Sequence, residues 1–247
     1  MKSFCFIVLC LTVTLRANDF NAIVLEQVHA MPSGGGYATT RSAHDALLET
    51  SSITPEGIRI QAEKAHPSYC SGATYLVFLK TLQALQSRGS LRIGTEAWKK
   101  LLPARMGDGV GVWGRWNANG PGTARLFHEL GLGRNFTSFE EAQPGDFLKI
   151  FWSDAVGKNE RGHSVIFLGL ENKDGVEHVR FWSSNKPNGF GEKSVPKSKV
   201  SRALFSRLET PSNLNQLDTL PARDKYLASL LSVDSSIGEV RKMTGAR

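Results

Sequence analysis

HPSYCSGATYLVFLK, residues 66–80, passes from a Pro- and Ser-containing entry into an almost unbroken apolar run, with Cys70 at the junction. From Ser68 or Tyr69 to about Leu85, the residues Tyr75, Leu76, Phe78, Leu79, Leu82 and Leu85 cover more than one helical face. That pattern predicts a helix buried in the centre of a domain. Gly72 and Ala73 leave room for another element to approach its first turn. Cys70 then stands where unpaired backbone N–H groups and the helix dipole stabilise a thiolate, and the same N–H groups can receive an oxyanion.

Whether Cys70 has a partner depends on the start of the chain. MKSFCFIVLCLTVTLRANDF places Lys2 before an apolar stretch from Phe4 to about Leu15, too short for a stable membrane anchor. Residues 1–17 therefore read as a secretory signal peptide, cleaved after Ala17, with a buried N-terminal strand as the alternative. Leu9 before Cys10 is too large for lipoprotein processing. Removal of the segment takes Cys5 and Cys10 with it and leaves Cys70 as the sole cysteine of a secreted or periplasmic protein. An intramolecular disulfide is then excluded. An unpaired thiol outside the cell is exposed to oxidation, so a nucleophile competes with the plainer reading of a small buried hydrophobe.

With 247 residues, 40% hydrophobic and 21% charged, the chain is long enough for one well-filled domain with decorations. Its formal charge of +7 falls by two on loss of Lys2 and Arg16 and stays positive, which reads first as a surface that keeps the protein in solution and second as one that favours anionic polymers such as acidic cell-wall glycans or nucleic acid. The Lys and Arg residues are dispersed, without the basic-aromatic runs of a nucleic-acid module. Beyond the leader no segment has the length and apolarity of a membrane span. A single mature cysteine and scattered histidines offer no metal-ligand spacing, and phosphate-loop and dinucleotide patterns are missing, so neither metal nor cofactor is expected.

Outward from the central helix, SAHDALL (42–48) reads as a short helix and GIRIQAE (57–63) as a strand or helix start. GDGVGVWGRWNANGPG (107–122) is rich in glycine and carries Trp113 and Trp116, which reads as a functional loop whose tryptophans either stack on a substrate or anchor the loop. GTARLFHEL follows as a helix closed by Gly131. EEAQPGDFLKIFW (140–152) gives a Pro-Gly turn and a strand; GHSVIFLGL (162–170) and VEHVRFWSSN (176–185) give a β-hairpin, and Arg202–Leu208 a further strand. Asn135-Phe136-Thr137 fits a glycosylation acceptor. After Glu209 a polar, peripheral tail (211–247) is expected. One helix followed by an antiparallel sheet predicts an α+β fold, with residues 18–65 as an N-terminal extension and 66–210 as the catalytic domain.

A cysteine nucleophile needs a histidine to take its proton and return it to the leaving amine. His163 begins a buried strand directly after a glycine and is the best placed; His66 precedes Pro67 on a loop, His178 lies on the next strand, and His29 and His44 read as surface or capping residues. Antiparallel pairing brings the end of that next strand beside His163. Asn185 is the chosen third group, with Ser183 on the same face and Ser184 taking the role if the register differs by one.

SYCSGATY, QPGDFLKIFW, GHSVIFLG and FWSSN follow, in order, a pattern that resembles the NlpC/P60 and CHAP cysteine peptidases and amidases of bacterial cell walls. The resemblance spans roughly residues 66–208. It implies a papain-like fold cleaving a peptide or amide bond in peptidoglycan without metal or cofactor, with Cys70 as nucleophile and His163 as base. The chain departs from the pattern at Tyr69, where an Asp is usual, and at Ser183-Ser184-Asn185, which lacks the acid of Glu-x-Asn. A protein substrate, or a non-catalytic wall- or glycan-binding module of the same fold, is the alternative.

Overall fold

The computed structural model describes residues 17–247. The segment read as a signal peptide lies outside them except for Ala17, the first residue of α1. Helices α1 (Ala17–His29) and α2 (Arg41–Leu48) flank a two-residue strand β1 (Gly34–Gly35) and precede a small hairpin, β2 (Ser51–Thr54) and β3 (Gly57–Ile60). The central helix α3 (Cys70–Ser87) is followed by α4 (Thr95–Leu101), α5 (Gly111–Trp116) and α6 (Gly122–Leu130). Then come β4 (Gly133–Phe136), β5 (Phe147–Phe151), β6 (Gly162–Lys173), β7 (Val176–Asn185), β8 (Gly189–Pro196) and β9 (Arg202–Leu208), and finally α7 (Lys225–Ser229) and α8 (Ile237–Thr244).

Seven strands form one antiparallel sheet in the order β1-β8-β7-β6-β5-β9-β4. The chain is thus α+β, and α3 with its leading cysteine packs on this sheet. Tyr75, Leu76, Phe78, Leu79 and Leu82 are fully buried, because α3 is enclosed by the sheet on one side and by α1 and α5 on others. Strand alternation sorts the sheet into two faces. Phe147, Ile166 and Trp182 join the α3 core, whereas Leu148, Ile150, Val165, Phe167, Phe181 and Phe205 fill a second cluster on the opposite face.

The Pro-Gly-Asp turn is held by an ion pair inside the protein. Asp146 accepts from Arg207 Nε at 2.8 Å and from Nη2 at 2.6 Å, and Asn21 of α1 donates to the same carboxylate at 2.9 Å. Removing one partner from such a buried pair costs about 3–5 kcal/mol.

A β-bulge governs the β6–β7 register. Near the turn Lys173 pairs with Val176 and Gly169 with Arg180, but past the irregularity between Phe167 and Gly169 the partners become Phe167 with Phe181 and Ile166 with Trp182. One extra residue in β6 slides the ladder by one. Gly169 takes a φ of +132° there, a backbone region that side chains disfavour.

Four expectations are corrected. The glycine-rich stretch is no open loop: Gly111–Trp116 is helical, and Gly114 packs against the carbonyl of Gly107 so closely that a Cβ would collide. Trp113 and Trp116 are each only 2% exposed and pack on Tyr75, which removes them from substrate contact. Asn135 is buried, its Nδ2 donating to the carbonyls of Ala124 and Thr244, so the folded chain hides the acceptor motif. The tail is built into the fold, with Leu214, Leu217, Leu227, Leu230 and Val240 buried and Asp224 paired to Arg125 at 2.8 Å. Strand β8, unread in the sequence because its glycines and charges mask alternation, extends the sheet beyond β7.

Candidate active site

Cys70 is the first residue of α3, preceded by the cap residue Tyr69 in extended conformation. No side chain caps the helix, so its first-turn amides are not consumed by a cap and remain directed at the space beside the thiol. The position is fixed from behind. Ser68 Oγ donates to Ser184 Oγ at 2.8 Å, and the backbone of Ser68 exchanges hydrogen bonds with Gly36 and Ala38, which ties the helix start to β7 and to the segment after β1.

His163 and Asn185 meet across the β6–β7 ladder. Asn185 Nδ2 donates to the carbonyls of Gly191 (2.8 Å) and Ser183 (3.2 Å), which turns its Oδ1 to His163 Nε2 at 3.0 Å. The imidazole therefore carries its proton on Nε2 and keeps Nδ1 for the thiol. Trp152 lies alongside the ring at 6.4 Å between centroids and Phe181 meets it edge-on at 5.7 Å, holding its plane. Of the alternatives, Ser183 Oγ donates instead to the Ser164 carbonyl at 2.7 Å, and Ser184 points away to Ser68.

The thiol responds to these neighbours. Burial pushes it up, but a hydrogen-bonding interaction and the charge of His163, the backbone N–H of Ser164 and the Lys149 ammonium outweigh burial and bring it down to about 7. Sulfur and imidazole interact without a hydrogen bond of standard geometry. Tyr37 faces the same sulfur, and its phenol is pushed up to about 12 by burial and by the Cys70 charge and hydrogen bond. Tyr69 is raised by burial first and by Cys70 second.

The pair sits in a cleft with two arms. On the Cys70 side a groove of about 320 Å3 is lined by Tyr37, His44, Asn117, Lys149 and Glu160 among others. On the His163 side a second hollow of about 330 Å3 is lined by Trp152, Phe181, Lys186, Lys193 and Val195, with Tyr37 and Gly162 shared by both. Lys149 Nζ binds Glu160 at 2.7 Å, and the other oxygen of Glu160 accepts from the amides of Gly120 and Gly157. Among the described residues no three His, Cys, Asp or Glu side chains gather in a metal-like cluster, and no helix is long and apolar enough to cross a membrane.

The structure thus brings together Cys70, His163 and Asn185 and leaves Trp113 and Trp116 in the core behind them. His66 packs against Gly35 and Phe190, and His178 bonds the Val176 carbonyl. His44 is not a plain surface residue: its Nδ1 lies 3.0 Å from the Tyr69 hydroxyl on the wall of the groove. Lys149 had a signal in the sequence, a lone charge inside FLKIFW. Tyr37 and Glu160 had none, since loops alone carry them to the site. Compared with protein-family models, with curated proteins and with solved structures, the chain matches none of them.

Proposed function

We propose that the chain is an exported thiol hydrolase of the NlpC/P60 and CHAP kind, papain-like in fold, that cleaves a peptide or amide bond in cell-wall peptidoglycan. The observation that carries this reading is the His163 Nε2–Asn185 Oδ1 bond of 3.0 Å beside a helix-start thiol lowered to about 7. Nucleophile, base and orienting amide occur in one contiguous site, the arrangement needed for acyl transfer by cysteine.

In the reaction the Cys70 thiolate attacks the amide carbonyl, and the carbonyl oxygen gains negative charge in front of the first-turn amides of α3. The C–N bond breaks as the imidazolium of His163 gives its proton to the nitrogen, and the amine departs. Water, deprotonated by His163, then attacks the thioester; the acid leaves and the thiol is restored. Asn185 holds the ring in the tautomer that both steps use.

Digestion of purified peptidoglycan with mass analysis of the fragments tests this. The wild type is expected to release new amine and carboxylate ends. Cys70→Ala abolishes release, and His163→Ala reduces it by about 10²–10⁴-fold. Wall hydrolysis that persists undiminished in Cys70→Ala removes the nucleophile assignment.

A further inference from the structure

The two arms of the cleft differ in charge, and the difference bears on what the departing half of the substrate carries. On the Cys70 side the one cation, Lys149, is neutralised by Glu160, leaving a polar groove of Asn117, Ser71 and backbone groups. On the His163 side two cations, Lys186 and Lys193, line a hollow with no carboxylate in its wall, and among the described residues neither has an acidic partner. Both are placed by the framework. Lys186 follows Asn185 directly, with its ammonium 5.4 Å from the centre of the Tyr37 ring, and Lys193 pairs across the ladder with Phe181, the ring that abuts His163. The floor between them is aromatic and aliphatic, from Trp152, Phe181 and Val195.

Chemistry fixes which half of the substrate lies in this arm. His163 protonates the leaving nitrogen, so the portion that departs as an amine must extend from the imidazole side. Resting on the hydrolase reading above, we propose that Lys186 and Lys193 form a carboxylate-binding subsite, and that the preferred substrate bears a free carboxylate on the residue whose amine is released. The unneutralised ammonium groups supply charge-assisted hydrogen bonds, and the Trp152–Phe181 floor takes the aliphatic part of that residue.

The test uses disaccharide-peptide fragments from muramidase-digested peptidoglycan, either native or with their free carboxylates converted to carboxamides. Wild-type kcat/KM should favour the native set. Each of Lys186→Met and Lys193→Met should cut the native-to-amidated ratio by about 2–5-fold, the double variant should cut it furthest, and Lys→Arg at each position should restore it. Calorimetric binding of both sets to Cys70→Ala reads the same preference without turnover. Turnover with a ratio near one, or a ratio unmoved by the double variant, overturns the subsite and leaves the hydrolase reading intact. Binding preference that the lysine variants abolish, in a wild type that turns over neither set, sustains the subsite and removes the hydrolase. Neither turnover nor preference overturns both.

Discussion

Cys70 owes its chemistry to neighbours from distant parts of the chain: His163 and Ser164 from β6 and Lys149 from β5. Because the folded thiol is lowered, its reactive thiolate grows as pH climbs through about 7 and is protonated away below it. The rate of Cys70 alkylation by iodoacetamide in the native protein is expected to show its midpoint at about pH 7. His163→Ala, which removes the largest lowering influence, should move that midpoint upward toward the ordinary thiol range. A native midpoint already in the ordinary range would mean that the imidazole does not act on the sulfur. Cys70 and His163 were legible in the sequence because each is marked by its own surroundings, one opening an apolar helix and the other following a glycine into an apolar strand. Lys149 was half-legible, and Tyr37, His44 and Glu160 were not, since no local pattern records which loop will fold across a thiol.

At the scale of elements, the site depends on one irregularity. Continuing the turn-proximal register of β6 and β7 without the bulge would set His163 opposite Lys186, whereas the one-residue slide sets it opposite Asn185. The hairpin was legible from its two apolar strands and NKDG turn, but Gly169 in a strand only hinted at the slide. The glycine-rich stretch before α6 misled for a physical reason. Glycines there serve close packing of backbone on backbone, at Gly114 against Gly107 and at Gly109 against Asp224, and composition alone does not separate that use from mobility. Trp116 shows the consequence: its indole N–H bonds Thr74 Oγ1 at 3.2 Å and its ring stacks on Phe78. Trp116→Ala is expected to cost about 3–5 kcal/mol in urea unfolding, with KM for wall fragments unchanged in the fraction that folds. A raised KM with stability intact would return the tryptophan to the binding surface.

For the whole molecule, the boundaries read from composition divide what the fold unites. Residues 18–65 supply an edge strand and three residues of the groove wall, Tyr37, Thr39 and His44, so they belong to the site. Residues after 210 complete the other side. The Arg115 side chain is wholly enclosed and binds Glu129 together with the carbonyls of Gly109, Gly111 and Pro221, and Arg125 holds Asp224. Truncation after Thr210 removes Pro221 and Asp224 together with the buried Leu214, Leu217, Leu227 and Leu230, and exposes the core surface they cover. The shortened chain should lose its cooperative thermal transition, as seen by circular dichroism; a truncated protein that melts like the full one would show the tail to be an accessory. The polar sequence of the tail concealed this role, because its buried leucines are spaced among charges that face outward.

That Cys70 is activated by groups drawn from β5 and β6, far from it in the chain, has a bearing on the history of each molecule. In an unfolded chain the same cysteine is an ordinary thiol, only a few per cent ionised at neutral pH, while in the assembled cleft its neighbours bring it down to about 7 and favour the thiolate. Reactivity therefore depends on long-range contacts that only the folded chain makes. A newly made chain carries a chemically quiet cysteine until it folds, and folding itself is the step that arms it.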